Sequence, residues 1–93
     1  MKKNNSFLKS YKNLRILITG TTGFKGAWLA FWLNQIGAKV TGVALKPEDN
    51  SVIFRGLKLD KKIQQYYIDV TNFRKLNELI KKKKPNIIFH LAA

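Results

Sequence analysis

Residues 14–37 of the chain read LRILITGTTGFKGAWLAFWLNQIG and join a strand pattern, a glycine-punctuated turn and a helix pattern. The branched apolar run at residues 14–19 predicts a buried parallel strand. Residues 24–36 are apolar at nearly every turn and are followed directly by Gly37, which predicts a helix with a glycine C-cap. The side chains expected to pack on the sheet are Ala27, Trp28, Phe31, Trp32 and Ile36.

The turn between these two elements has the spacing G-x-x-G-x-x-G, formed by Gly20, Gly23 and Gly26. In such a turn the first glycine permits a tight bend, the second lets a pyrophosphate approach the backbone, and the third allows close helix–strand packing. The start of the helix then offers unpaired N–H groups and a partial positive charge to phosphates. The pattern predicts dinucleotide binding, with a plain structural turn as the alternative. A P-loop is excluded because Lys25 precedes Gly26 instead of following it.

Beyond residue 37, strand and helix patterns continue to alternate. This alternation predicts an α/β fold: a Rossmann-type parallel sheet with flanking helices, of which about four strands, the N-terminal portion, are present. Residues 14–93 are expected to form a partial NAD(P)-binding domain, and residues 1–13 a basic, flexible lead-in. Thr71 or Asn72 is expected to cap the last helix. The further predicted elements are strands at 39–45, 66–70 and 86–91, a short helical segment at 52–57 and a helix from 73 to about 83.

The composition limits the classes of function. A net charge of +13, from 18 basic and 5 acidic residues, suits polyanions such as nucleic acid, but it also serves solubility. The lysines are scattered over termini and loops, and most aromatic residues fall on the predicted core. A small basic nucleic-acid-binding module is therefore the alternative and not the main expectation. The lack of cysteine excludes disulfides and cysteine zinc sites, and no metal site is expected. No apolar run reaches about 18 residues, so no membrane span is expected. Because the sequence also lacks cysteine and a signal-peptide pattern, we expect a cytoplasmic protein.

The second strand bears on the choice between NAD and NADP. An acidic residue about 20 positions after the glycines would hold the ribose hydroxyls of NAD. That position falls near Ala44, which is not acidic, whereas Glu48 and Asp49 lie a few residues too late. Lys46 could instead face the 2′-phosphate of NADP. The residues themselves leave the choice open.

Two segments carry a resemblance to a known family. The first is Thr19-Gly20-Thr21-Thr22-Gly23-Phe24-Lys25-Gly26-Ala27-Trp28-Leu29, and the second is Phe89-His90-Leu91-Ala92-Ala93. Both resemble the sugar-nucleotide dehydratases of the extended short-chain dehydrogenase/reductase family, and the likeness is nearly continuous over residues 14–93. One departure is Thr21, which stands where members of the family often carry histidine.

The resemblance implies a dinucleotide partner, NAD, although NADP is not excluded. It implies that the backbone near Phe24 and Lys25 meets the pyrophosphate. The carboxylate of Asp69 would accept from the adenine amino group, although Asp69 is alternatively a turn residue. His90 is expected to be a hydrogen-bonded core residue. The cofactor-binding residues that follow are Gly20, Thr22, Gly23, Phe24, Lys25, Gly26, Asp69, Val70, Leu91, Ala92 and Ala93.

The resemblance also implies a reaction, the conversion of CDP-glucose to CDP-4-keto-6-deoxyglucose by transient hydride transfer and loss of water. The alternatives are a GDP-mannose 4,6-dehydratase, a sugar-nucleotide 4-epimerase, and a non-catalytic dinucleotide-sensing domain. The family's Tyr-x-x-x-Lys pair is missing, since Tyr66 and Tyr67 have Val70 and Thr71 four positions on. We therefore expect no catalytic residues and no sugar-nucleotide-binding part in these residues, and an inactive chain. A full-length form would bind a sugar nucleotide and form a homo-oligomer.

Overall fold

The computed structural model describes residues 11–47 and 51–92. Strands and helices alternate along it, as the sequence predicts. The strands are β1 (Arg15–Thr19), β2 (Lys39–Ala44), β3 (Gln64–Tyr67) and β4 (Ile87–His90). The helices are α1 (Phe24–Gln35), α2 (Val52–Gly56), α3 (Leu59–Lys62) and α4 (Phe73–Lys83). Residues 1–10 of the expected lead-in, together with Glu48, Asp49 and Ala93, lie outside the described residues.

The four strands form one parallel sheet in the order β3-β2-β1-β4. Strand β1 pairs with β2 on one side and with β4 on the other. The chain therefore moves outward from β1 to β3 and then returns to the far side of β1. Because parallel crossovers are right-handed, this reversal places α1, α2 and α3 on one face and α4 on the other. The Rossmann-type fold is confirmed, and the strand order reverses beside β1, where such sheets bind their ligands.

Each face of the sheet has its own core. On the α1 face, Ile16 and Ile18 are buried against Ala27, Ala30 and Leu33. On the opposite face, Leu17 and Val43 are buried against Leu79 of α4, with Leu76 and Ile80 packed around them. The alternation of Ile16, Leu17 and Ile18 between the faces follows from the two-residue period of a strand. Strand β1 is thus buried on both sides, as its apolar run predicts.

The two tryptophans of α1 are not core residues, and the expectation that they pack on the sheet is wrong. Trp28 is 44% exposed and Trp32 is 48% exposed. Three of the four residues that α1 turns toward the sheet are small, and small side chains let a helix approach a sheet closely. The buried positions of α1 are Gly26, Ala27, Ala30 and Leu33.

Strand β3 begins two residues before the predicted strand at 66–70 and ends three residues before it. Its register is set by β2, from Thr41 opposite Gln64 to Ala44 opposite Tyr67. The aromatic and branched residues after Gln65 suit a strand locally, but pairing with β2 ends once the N–H of Ile68 has bonded Ala44. The short helix α3 was not predicted, because a four-residue turn of sequence Leu-Asp-Lys-Lys has no apolar period of its own.

Element ends behave as the sequence predicts. Gly37 follows α1 with φ of +94°, the left-handed conformation that a glycine C-cap supplies. At α4, the side chain of Asn72 accepts a hydrogen bond from the N–H of Lys75, so Asn72 and not Thr71 is the cap. Tyr11 packs against the α1-face core, and the N–H of Asn13 bonds Gly37, so residues 11–13 form a turn against the fold.

Candidate functional site

The glycine turn lies at the carboxyl edge of the sheet, between β1 and α1. The N–H of Gly20 donates to the carbonyl of Val43 at 2.7 Å, which ties the turn to β2. The N–H of Gly23 donates back to the carbonyl of Gly20 at 3.0 Å, which closes the bend. The backbone therefore leaves β1, folds over its end and enters α1 within four residues.

Two of the three glycines are required by packing. Gly20 has φ of +85°, and a Cβ there would lie 2.9 Å from the backbone of both Leu91 and Ala92. A Cβ on Gly26 would collide with the carbonyl of Gly20, a backbone group that cannot move aside. Gly20 thus permits the bend and the close approach of the segment after β4, and Gly26 allows the close contact of helix and strand, as the motif predicts.

Gly23 is different. Its backbone has φ of −84° and ψ of 169°, which any residue adopts. The nearest atom to a Cβ built on Gly23 is the oxygen of Gly20 at 3.4 Å, an ordinary van der Waals distance. The fold itself therefore has no need of a glycine at this exposed position, and the missing side chain leaves the space in front of the turn open.

Helix α1 begins at Phe24 with unpaired backbone donors. Gly23 is its N-cap, no side chain caps it, and its first turn carries no acidic residue. The first amides of a helix have no intrahelical acceptor, and they lie at the positive end of the helix dipole. Phe24 and Lys25 are both exposed here. The turn thus presents donors and a partial positive charge to the solvent.

An open groove of about 570 Å³ runs along this turn. Thr22, Gly23 and Phe24 line one side of it, and Thr22 donates from its hydroxyl to the carbonyl of Leu45 at 3.3 Å. Lys46 was expected in this region, but the other residues of the facing wall were not. Parallel strands end at a common edge, so residues after β2 could have been inferred as neighbours of the turn. That wall consists of Leu45, Lys46, Ser51, Val52 and Ile53.

The end of β4 meets the turn through Thr19, a residue for which the sequence predicts no functional role. Its buried hydroxyl accepts from the N–H groups of Leu91 at 3.0 Å and Ala92 at 3.2 Å. Nδ1 of His90 lies 2.8 Å from the same oxygen. The Thr19 hydroxyl and the His90 ring therefore share a hydrogen bond. His90 is hydrogen-bonded as expected, but on the edge strand it is exposed and not in the core.

A polar contact also supports the turn from below. Thr21 is fully buried and donates from its hydroxyl to the side-chain oxygen of Gln65 at 2.7 Å. The amide nitrogen of Gln65 donates in turn to the carbonyl of Tyr66 at 3.1 Å. Gly42 makes room for this pair, since a Cβ there would collide with the Gln65 side chain. Thr21 therefore acts as a hydrogen-bonded support beneath the turn.

Asp69 and Val70 follow β3 at the same edge of the sheet, but neither lines the groove. One oxygen of Asp69 accepts from the N–H of Thr71 at 2.9 Å and from its hydroxyl at 2.7 Å. These two bonds lower the pKa of the Asp69 carboxyl below its usual value. Asp69 is therefore an exposed, ionised acceptor that the Thr71 turn holds in place.

Two classes of feature are missing from residues 11–47 and 51–92. No helix in these segments is both long and apolar enough to cross a membrane. The same segments bring together no group of three or more histidine, cysteine or acidic side chains that could hold a metal ion.

Comparison with known proteins finds a matching family. The family model described as GDP-mannose 4,6 dehydratase matches residues 17–93. A curated CDP-glucose 4,6-dehydratase from Salmonella typhimurium is 39% identical over 83 residues. The match covers 89% of this chain but only 23% of that protein, so the chain spans about a quarter of the relative's length.

Solved structures share the fold. An epimerase, Mth375, from Methanothermobacter thermautotrophicus superposes with a TM-score of 0.72 at 24% identity, covering 95% of this chain and 25% of that one. A UDP-glucose-4-epimerase from Stenotrophomonas maltophila, solved with bound NAD and formylated UDP-arabinopyranose, gives 0.69 at 21% identity, covering 86% of this chain and 24% of that one. Both likenesses support the Rossmann-type architecture.

Proposed function

The chain belongs to the GDP-mannose 4,6-dehydratase family, and we propose that it is the NAD-binding part of a sugar-nucleotide 4,6-dehydratase. The resemblance inferred from the glycine turn and the last five residues is confirmed at the level of the family. The cofactor, the substrate and the roles of individual residues belong to the proposal.

One observation carries the proposal: Gly23 is a glycine that the fold does not require. Gly20 and Gly26 are explained by the packing of β1, α1 and the segment after β4. Gly23 has an ordinary backbone conformation and faces an open groove. A side chain there would stand in front of the first amides of α1, where a diphosphate would bind. Packing does not explain why residue 23 has no side chain, whereas a bound diphosphate would explain it.

In the proposed complex the diphosphate accepts hydrogen bonds from the backbone near Phe24 and Lys25. The adenosine half extends across the end of β2 toward Asp69 and Val70, where the ionised carboxylate of Asp69 is suited to accept from the adenine amino group. Leu91 and Ala92, with Ala93 after them, would lie beside the ribose on the other flank. The bound NAD in the related epimerase structure supports this choice of cofactor.

NADP is the second candidate, and Lys46 favours it. This exposed lysine lines the groove beside Thr22, where a 2′-phosphate would find a positive charge. No acidic residue lines the described part of the groove to select for the free hydroxyls of NAD. The cofactor choice is therefore a question for direct titration.

The reaction proposed for the full-length enzyme is the conversion of CDP-glucose to CDP-4-keto-6-deoxyglucose. The 39% identical dehydratase supports the CDP-linked sugar, and the family model makes GDP-mannose the alternative. The cofactor supplies hydride transfer, whereas this chain binds and orients it. The 93 residues contain no Tyr-x-x-x-Lys pair, so we propose that this polypeptide alone has no dehydratase activity. A cytoplasmic location is part of the proposal.

The test is calorimetric titration of the 93-residue chain with NAD and with NADP. We expect Gly23→Ala to weaken binding by at least about tenfold, the loss of roughly 1.4 kcal/mol, while the unfolding midpoint stays unchanged. Gly56→Ala is the matched control: it also adds one methyl group, but no atom lies within 4 Å of the new Cβ. This control should bind as the unaltered chain does.

Each outcome is decisive. A folded chain that ignores both dinucleotides contradicts the proposal, as does a Gly23→Ala variant that binds as tightly as the Gly56→Ala control. If NADP bound more tightly than NAD and this preference were lost in Lys46→Ala, the proposed site would stand and its cofactor would be NADP.

A further inference from the structure

A second groove lies at the amino edge of the sheet, at the opposite end from the glycine turn. It has a volume of about 670 Å³ and lies between the starts of β1, β2 and β3 and the ends of α3 and α4. The described residues that line it include no carboxylate. The cations that line it are Arg15, Lys39, Lys61, Lys62 and Lys83.

Three of these cations are held in place by the fold. Lys83 donates to the side-chain oxygen of Gln64, and its nitrogen lies 5.2 Å from the centre of the Tyr66 ring. The nitrogen of Lys62 lies 4.9 Å from the centre of the Phe31 ring. Arg15 donates from Nε to the carbonyl of Lys84 at 2.7 Å. A cation that is already fixed loses less conformational freedom when an anion binds.

The other two, Lys39 and Lys61, are exposed and have no ion pair or hydrogen bond from their side chains to the described part of the chain. The described carboxylates lie outside this groove. Glu78 pairs with Arg74, Asp69 accepts from Thr71, and Asp60 is not among the lining residues.

Five like charges around one groove repel one another, and a ligand of opposite charge would relieve that repulsion. A single phosphate neutralises at most two of them. The described lining includes no aromatic residue on which a base could stack, so recognition would rest on charge alone. We propose that this groove binds a ligand with several phosphates in a row, such as inorganic polyphosphate or the backbone of a single-stranded nucleic acid.

The experiment uses the full 93-residue chain with a short polyphosphate in calorimetry and a labelled oligothymidylate in fluorescence anisotropy. The groove variant combines Lys39→Gln with Lys61→Gln. The control combines Lys75→Gln with Lys81→Gln, two exposed lysines of α4 that line neither groove. Both variants lose the same net charge, so they differ only in where the charge was.

We expect the groove variant to bind at least about tenfold more weakly at low salt, and the control within about twofold of the unaltered chain. For the oligonucleotide, losing two phosphate contacts should reduce the slope of log K against log salt by about 1.4. Saturating NAD should leave polyanion binding unchanged, because the two grooves lie at opposite edges of the sheet.

The two titrations also distinguish polyphosphate from nucleic acid as the ligand. Binding of polyphosphate without the oligonucleotide assigns the groove to polyphosphate, and tighter binding of the oligonucleotide assigns it to a nucleic-acid backbone. Binding of neither overturns the proposal. Equal weakening of both variants would show attraction to net charge alone, and displacement by NAD would place the polyanion at the glycine turn; either result also overturns it.

Discussion

The two edges of the sheet differ in what shapes their grooves: the backbone at one edge and side chains at the other. At the carboxyl edge the shape comes from the backbone: Gly20 and Gly26 let β1 and α1 meet, and Thr19 ties the end of β4 beside them. At the amino edge the groove is formed by long, charged side chains such as Lys39 and Lys61. The first edge should therefore respond to a single added methyl group, and the second to charge and salt, with little effect on folding.

The largest effect is expected from Gly26→Ala. The new Cβ collides with the carbonyl of Gly20, so α1 must move away from β1. We expect a loss of at least about 3 kcal/mol in the free energy of unfolding, the upper end of the range for overpacking. Urea unfolding followed by circular dichroism measures it, with Gly56→Ala as the control. Equal midpoints for the two variants would mean that the edge does not depend on close packing.

A smaller loss is expected from Thr19→Val, which keeps the shape and removes the hydroxyl. The N–H of Ala92 loses its acceptor and the His90 ring loses its hydrogen-bond partner, at a cost of about 1–3 kcal/mol. The control is Thr41→Val, at a buried threonine of β2 whose hydroxyl bonds no described residue. The same urea unfolding measures the loss. A Thr19→Val variant as stable as the Thr41→Val control would show that the hydroxyl of Thr19 does not stabilise the fold.

The smallest effect is expected at the amino edge. Lys39→Gln should change the free energy of unfolding by less than about 0.5 kcal/mol, since its side chain has no partner in the described part of the chain. Thermal unfolding at low and high salt checks this. If Lys39→Gln lowered the free energy of unfolding as much as Thr19→Val does, the cations of this edge would be stabilising the fold. The proposed difference between the two edges would then be wrong.

Local pattern was enough to predict the elements that carry their own signal. Strand β1 is an uninterrupted apolar run, and α4 begins at a capping asparagine and ends in lysines before a proline. The glycine turn was likewise predictable, because its spacing reflects a backbone requirement that Gly20 and Gly26 meet as the motif demands.

Features set by distant partners were not predictable. Strand β3 begins at two glutamines because β2 sets its register and because Gln65 receives the buried hydroxyl of Thr21. Trp28 and Trp32 suit a core by size and spacing, yet α1 approaches the sheet through Gly26 and two alanines instead. Close approach selects the smallest side chains, a choice that depends on the sheet and not on the helix alone.

The most direct test of the central claim is amide NMR of the ¹⁵N-labelled chain during titration with NAD. The account predicts that the largest shifts occur at the amides of Gly23, Phe24, Lys25 and Gly26, with little change at Lys39 and Lys61. If the signals of these turn amides did not shift at saturating NAD, or if the shifts were concentrated at the amino edge, the claim would be contradicted.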